Sequence, residues 1–345
     1  MSFFSYFIET QALAHDTIRM DNARTKTTLK TIQELLGLPS DVTLSIINHY
    51  KDIFNAPHQH VLLEKNRQAL ILAKRTSPFL LPGSDLCQKF GSDLFYYAQL
   101  ALNCPFNCSY CFLQGLYRTG HCVLFINYKK FLTELSTLVK AHPGSMLYIP
   151  LTHETDLLAF KEGRNLLKLI IPELSRFPHV QFEIRTKSAV HEFFHTIPAI
   201  SNVTYAFSLA PQEIISAYEQ KTPELNARLS AIQACIREGH TVRLCFDPVF
   251  IEPDALTLYN EFFLQVFTTI PSHMINDVSY GFFRMPKKLF RYCAGIHREL
   301  YLYHGPYETE GDDIGYPAAL RETMRREHAS LLENYFAPEK IFFLD

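Results

Sequence analysis

The sequence predicts an α/β fold: a partial (βα)6 TIM barrel preceded by an N-terminal helical extension. Three observations carry that expectation. From about residue 91 onward, strand-like runs alternate with helical patterns, which calls for a parallel sheet with right-handed crossovers. Six such units can be read, two short of a closed eight-fold barrel. The 345 residues suffice for one large domain plus an appendage, with a sizeable core and no need of staples. An open barrel of this kind has a lateral mouth and carries its functional side chains at the C-terminal strand ends.

Residues 1–90 read as helical. Leu29, Ile32, Leu35 and Leu36 make one apolar face, and Gly37-Leu38-Pro39 ends that helix. Ser40 and Asp41 would start a second, with Leu44, Ile47 and Tyr50 inside. A third is expected from Gln59 to Lys74, its basic residues Lys65, Arg67, Lys74 and Arg75 forming a solvated face. The break from Pro78 to Gly83 marks a junction, so the chain divides into a helical region, 1–90, and a barrel, 91–345. Strands are expected at 94–102, 146–151, 180–186, 202–208, 240–247 and 276–283. The helices between them fall at 128–141, 160–175, 188–197, 223–238 and 254–269. The tail after 284, rich in Tyr and Arg, is expected to close the bottom or side of the barrel.

A formal net charge of −2 leaves no global positive field, so any nucleic-acid contact needs a local basic face. The start, Met1 to Ile8, is followed by Glu9 rather than built as a basic and apolar leader, and no stretch reaches membrane-span length. A soluble protein in the reducing cytoplasm is the expectation.

The chemistry concentrates in Asn103-Cys104-Pro105-Phe106-Asn107-Cys108-Ser109-Tyr110-Cys111-Phe112-Leu113-Gln114-Gly115, directly after the first strand. Cys104, Cys108 and Cys111 are spaced C-x3-C-x2-C, which lets one loop place three thiolates on three irons of a [4Fe-4S] cluster. The fourth iron is left open for the amino and carboxylate groups of S-adenosylmethionine (SAM), which the cluster cleaves reductively to a carbon radical. This is the signature of a barrel of radical SAM type. A structural zinc site would need a fourth ligand, which His121 or Cys122 could supply. A disulfide scaffold fits poorly, because eight cysteines are sparse for this length.

The run Cys-Pro-Phe-Asn-Cys-Ser-Tyr-Cys-Phe-Leu-Gln-Gly, followed by Leu124-Phe125-Ile126-Asn127-Tyr128, resembles the spore photoproduct lyase family. Thr155-Asp156, Arg185-Thr186-Lys187, Phe207-Ser208, Arg228-Leu229, Gly239-His240 and Asp247-Pro248 continue the likeness in order, over roughly residues 60–340. The resemblance implies a 5′-deoxyadenosyl radical acting on a thymine photoproduct flipped from DNA. It also implies an electron donor such as flavodoxin or ferredoxin. It assigns Thr155, Lys187 and Ser208 to SAM, the last two as a cation and a hydroxyl for its carboxylate. Two positions depart from it. His153 stands where those lyases carry a hydrogen-donating cysteine, and Phe112 where they carry a tyrosine, while Tyr110 keeps the other tyrosine. An imidazole does not donate a hydrogen atom as a thiol does; His153 is a proton donor, a substrate contact or an ordinary loop histidine. Cys245 shares a strand face with Asp247 and is either an apolar filler or a substitute hydrogen donor. Asp247 itself contacts ribose or substrate, or caps a loop. For DNA phosphates the best basic candidates are Lys287, Lys288, Arg291, His297 and Arg298, with Arg321, Arg325 and Arg326, although the acidic run Glu308 to Asp313 lies near. The alternatives are a radical SAM enzyme acting on another nucleic acid or a small molecule, and a non-catalytic protein that keeps the metal loop.

Overall fold

The computed structural model describes residues 1–13, 22–38, 42–83 and 88–344, without the side chains of residues 22–28. Pro39, Ser40 and Asp41, expected to end one helix and start another, lie outside the described residues, as does Cys87.

An eight-stranded sheet forms the half-barrel. Six parallel strands follow one another in space as in sequence: Leu94–Ala98, Leu147–Pro150, Val180–Thr186, Val203–Ser208, Thr241–Val249 and Asp277–Phe282. Ile341–Leu344 adds a seventh in parallel, and Leu80–Pro82 closes the other edge antiparallel. The strands from Leu147–Pro150 to Asp277–Phe282 are mostly buried, as expected where helices cover the outer face of a parallel sheet, while those at the two edges are only partly so. Crossover helices Tyr128–Ala141, Lys161–Leu174, Leu225–Arg237 and Ala255–Thr269 lie where the periodicity puts them. The connection expected as a helix over 188–197 keeps only one turn, Glu192–His195. Pro198 bars its continuation, and Phe193 and Phe194 anchor the turn in the core.

The N-terminal region departs from the helical expectation. Ser5–Glu9, Leu44–Ile47 and Ala69–Ala73 are parallel strands, joined to Cys122–Phe125 and Ala101–Leu102 in a five-stranded sheet. The segment expected as a helix from Gln59 to Lys74 holds one helical turn, Val61–Glu64, and then the strand Ala-Leu-Ile-Leu-Ala, buried at every residue. A short, fully apolar run has no period by which to tell a buried strand from a helix, and burial on both faces decided the outcome. Lys65 and Arg75, expected on a solvated face, are consequently buried. Only the helix Asn22–Leu36 survives as expected, with Ile32 and Leu36 inside but Leu35 exposed. Gly37, at φ 62°, ends it: Leu38 N–H reaches Gln33 O at 2.9 Å, a turn that needs the left-handed conformation. Because Leu80–Pro82 joins the barrel sheet and Cys122–Phe125 the N-terminal one, the boundary near residue 90 does not separate the two sheets.

The tail lies along the barrel's side. Helix Lys287–Ile296 packs on the short helix Phe112–Tyr117, and Ala318–Leu332 packs on Ala255–Thr269. Among the described residues no helix is long and apolar enough to cross a membrane.

Inside the barrel, below the strand ends, a charged layer is fully paired. Arg243 binds Asp277 through two nitrogens and Glu183 at 2.8 Å, and its guanidinium lies 3.4 Å from the centre of the Phe90 ring. Tyr148 donates to the same Glu183. Removing one partner from such a buried set strands the other charges. Arg243→Ala is therefore expected to cost about 3–5 kcal/mol in urea unfolding, and an unchanged midpoint would contradict the pairing.

Candidate active site

The strand expected over 94–102 is split: after Leu94–Ala98 the chain joins the N-terminal sheet at Ala101–Leu102 and reaches Asn103, whose φ of 67° turns it into the cysteine loop. Asparagine tolerates that conformation because its side chain bonds locally. Here Nδ2 donates to the carbonyls of Thr119 (2.7 Å) and His121 (2.8 Å), while Oδ1 accepts the Cys104 N–H at 2.8 Å. The middle of the loop, Asn107–Cys108, pairs antiparallel with Glu219–Gln220, and Ser109 N–H donates to Tyr218 O at 2.8 Å. Gln114, in the helix that follows, donates to Cys108 O at 2.9 Å and accepts from His297 at 2.8 Å. Gly115 lets helix Lys287–Ile296 pack close, since a Cβ there would sit 3.2 Å from Leu289 Cα. The loop is thus fixed from three sides.

Cys104, Cys108 and Cys111 all face one cavity of about 350 Å³. Burial pushes each thiol above its ordinary value, and for Cys104 the Asp156 carboxylate adds to it. Bare thiolates are therefore disfavoured here, and the set suits a site where bound metal supplies the compensating positive charge. Neither His121 nor Cys122 lines the cavity. The His121 Nδ1 accepts the Ala69 N–H at 3.1 Å, and Cys122 is a core residue of the N-terminal sheet. The fourth zinc ligand that the sequence allowed does not come from these two.

Thr155, Lys187 and Ser208 reach the same cavity from the ends of the second, third and fourth barrel strands. The Thr155 hydroxyl is buried without a hydrogen-bond partner. Lys187 Nζ lies 3.2 Å from Glu219 Oε1 and 5.6 Å from the centre of the Tyr110 ring. Asp156 ties the strand ends together, accepting from Leu158 N–H at 3.1 Å, Thr186 Oγ1 at 2.9 Å and Lys187 N–H at 2.8 Å.

Glu219 collects three partners: Lys187, the Arg228 guanidinium and the Tyr110 hydroxyl. Burial alone would raise its carboxyl, but the two cations and the phenol outweigh it and hold the pKa at about 2. Tyr110 presents its ring to the cavity, 5.0 Å from Phe250, while its hydroxyl is committed to Glu219.

A second cavity, of about 290 Å³, shares Phe112, Thr152, His153, Arg185, Asp247 and other residues with the first. The His153 ring is exposed in that shared wall, 4.5 Å from the Tyr97 ring centre. Desolvation by the surrounding protein, and then Arg185, lower its pKa, which favours the neutral imidazole. Cys245 does share the inward face of its strand with Asp247, but it is fully buried and lines neither cavity. Burial pushes its thiol up to about 11. Arg185, which the sequence offered only as part of a matching tripeptide, bridges Glu183 (3.0 Å) and Asp247 (3.2 Å) and lines both cavities. The signal for it was the strand-end position between Glu183 and Lys187.

The family model for spore photoproduct lyase matches residues 91–293. The chain belongs to the spore photoproduct lyase family. Solved structures agree on the fold. Spore photoproduct lyase complexed with dinucleoside spore photoproduct is similar at a TM-score of 0.79 and 14% identity, covering 100% of this chain and 98% of that one. A double mutant of that lyase with bound AdoMet and the same dinucleoside gives 0.78, again at 14% identity and with the same coverage. No curated protein sequence matches the chain. Family membership makes this a radical SAM enzyme of the lyase kind, whose cofactors are a [4Fe-4S] cluster and SAM.

The Glu219 clamp gives a pH signature. Its folded carboxyl ionises at about 2, against about 4.3 in an unfolded chain. Its stabilisation is therefore complete above roughly pH 5 and lost as pH falls toward 2. The stability gap between the parent protein and Glu219→Gln should stay constant from about pH 7 to 5 and narrow below. A gap that ignores pH would show that Glu219 is not held ionised.

Proposed function

We propose that Cys104, Cys108 and Cys111 hold the [4Fe-4S] cluster, that Thr155, Lys187 and Ser208 hold SAM, and that the substrate is a thymine photoproduct in DNA. One observation carries the reading: the three cysteines of the loop and the unpartnered Thr155 hydroxyl meet on one cavity at the barrel strand ends. When bound, the cluster supplies the electron that cleaves SAM to a carbon radical. The chain's own part is to place and enclose. Thr155 offers its free hydroxyl to the SAM amino acid, and Ser208 does the same from the neighbouring strand. Lys187 has three donors, of which Glu219 engages one, so charge remains for a carboxylate. Phe106, Phe112, Leu113, Phe282, Phe283 and Met285 keep the cavity wall apolar. The second cavity, with Phe90, Phe95 and Phe112 beside Arg185 and Asp247, suits an extruded base and its sugar.

A basic stripe beside the mouth supports DNA. Arg284 lines both cavities, and Lys288, Arg291 and Arg298 are exposed along and just past helix Lys287–Ile296. His297 leaves the set, being buried against Gln114, and Arg321 is paired with Glu310 at 2.9 Å. Replacing both Lys288 and Arg291 with Ala should lower the salt slope of duplex binding by about 1.8 if each meets one phosphate. Fluorescence anisotropy over a salt series checks this, and an unchanged slope moves the DNA path elsewhere.

Phe112 and His153 favour a second reading, in which the same machinery acts on another nucleic acid or a small molecule. Both line the two cavities where the lyases carry hydrogen donors, and Cys245 is too deep to replace them. The experiment is anaerobic reconstitution, then incubation with SAM, a flavodoxin- or ferredoxin-type electron donor and irradiated DNA, with products weighed by mass. About four irons per chain, 5′-deoxyadenosine and repaired thymines are expected. Cys108→Ala should abolish all three, and Cys245→Ala should change none. Deoxyadenosine without any change in the photoproduct would favour the second reading.

A further inference from the structure

Lys65 is a buried cation beside the cysteine loop that, among the described residues, is paired with no carboxylate. It follows the turn Val61–Glu64 and is only 2% exposed. Its Nζ donates to the carbonyls of Cys104 and of Phe106, the latter at 2.8 Å. Gly120 permits the close approach of the Glu64–Lys65 backbone, since an added Cβ there would fall 2.4 Å from the Lys65 backbone nitrogen. Of the neighbouring cations, Lys187 and Arg228 are answered by Glu219 and Arg185 by Glu183 and Asp247, while Lys221 Nζ donates to the Lys65 carbonyl. Glu64, next in sequence, spends its carboxylate on the Thr119 hydroxyl (2.6 Å) and the Gly120 N–H (2.9 Å). Among the described residues no ion pair involves Lys65.

A buried ammonium held only by two carbonyl dipoles is costly unless negative charge lies near. A [4Fe-4S] core of charge 2+ on three thiolates is a net monoanion, and a dianion once reduced. Resting on the cluster assignment proposed above, we propose that Lys65 is the electrostatic counter-ion of that cluster and raises its reduction potential. Net charge and hydrogen bonding are the levers that set such potentials, and a fixed cation in a low-dielectric interior favours the more negative, reduced state. Lys65 acts as a positioning residue as well, since its two carbonyl bonds fix the segment between the first two cysteines.

The test compares the reconstituted full-length protein with Lys65→Met and Lys65→Arg, by iron content and EPR-monitored redox titration. Lys65→Met should carry a cluster with a more negative midpoint. Its ratio of reduced to oxidised cluster at the parent's midpoint should fall about tenfold, equivalent to about 59 mV for one electron. Lys65→Arg should stay close to the parent. An unshifted midpoint in Lys65→Met overturns the inference. Should Lys65→Met fail to load iron, Lys65→Gln keeps a donor without the charge: a negative midpoint there supports the proposal, a parental one overturns it. Loss of iron from the Met and Gln variants but not from Lys65→Arg also supports it. Loss from all three assigns Lys65 to loop packing and overturns it. A parent protein that takes up no cluster contradicts the proposed function itself, a result separate from an unshifted midpoint.

Discussion

Glu219 takes its partners from parts of the chain that lie far apart in sequence. Tyr110 belongs to the cysteine loop, Lys187 to the end of the third barrel strand and Arg228 to a crossover helix. Glu219, Arg228 and Tyr110 are buried and Lys187 is partly so, in surroundings where charges are tolerated only in mutual compensation. The pairing of Asn107–Cys108 with Glu219–Gln220 brings the carboxylate under the loop. That clamp joins the Asn103 and Gln114 bonds in holding the loop so that its three cysteines line one cavity. The fold supplies the strand ends; Glu219 fastens the loop to them.

The barrel interior below the cavity is organised in layers along the fifth strand. Arg243, Cys245 and Asp247 point the same way, each two residues on. Arg243 closes the lower layer with Glu183 and Asp277, while Asp247 and Arg185 form the floor of the cavity. Cys245 lies between them, sealed from the site. The walls that remain accessible carry the His153 imidazole and the Phe112 ring. Neither group donates a hydrogen atom as a thiol does.

Much of this was legible in the sequence. The six barrel strands were readable because each is a short apolar run bounded by turn residues and followed by a helical period. The cysteine loop was readable because its C-x3-C-x2-C spacing lies within one short run of sequence. Ala69–Ala73 was not, since a run buried on both faces has no period to read. Lys65 was misplaced with it: once the expected helix became a strand, a residue assigned to solvent turned inward against the loop. The depth of Cys245 was also out of reach, because alternation gives the face of a strand and not the layer. Glu219 and Arg185 matter through partners distant in sequence, which no local pattern carries.

The central claim is that the cysteine loop binds a cluster with one iron open to SAM beside Thr155, Lys187 and Ser208. EPR of the anaerobically reconstituted, reduced protein, recorded before and after addition of SAM, tests it most directly. The account predicts a [4Fe-4S] signal whose g-values shift when SAM occupies the open iron. A signal indifferent to saturating SAM, or a loop that takes up zinc and no iron, would contradict it.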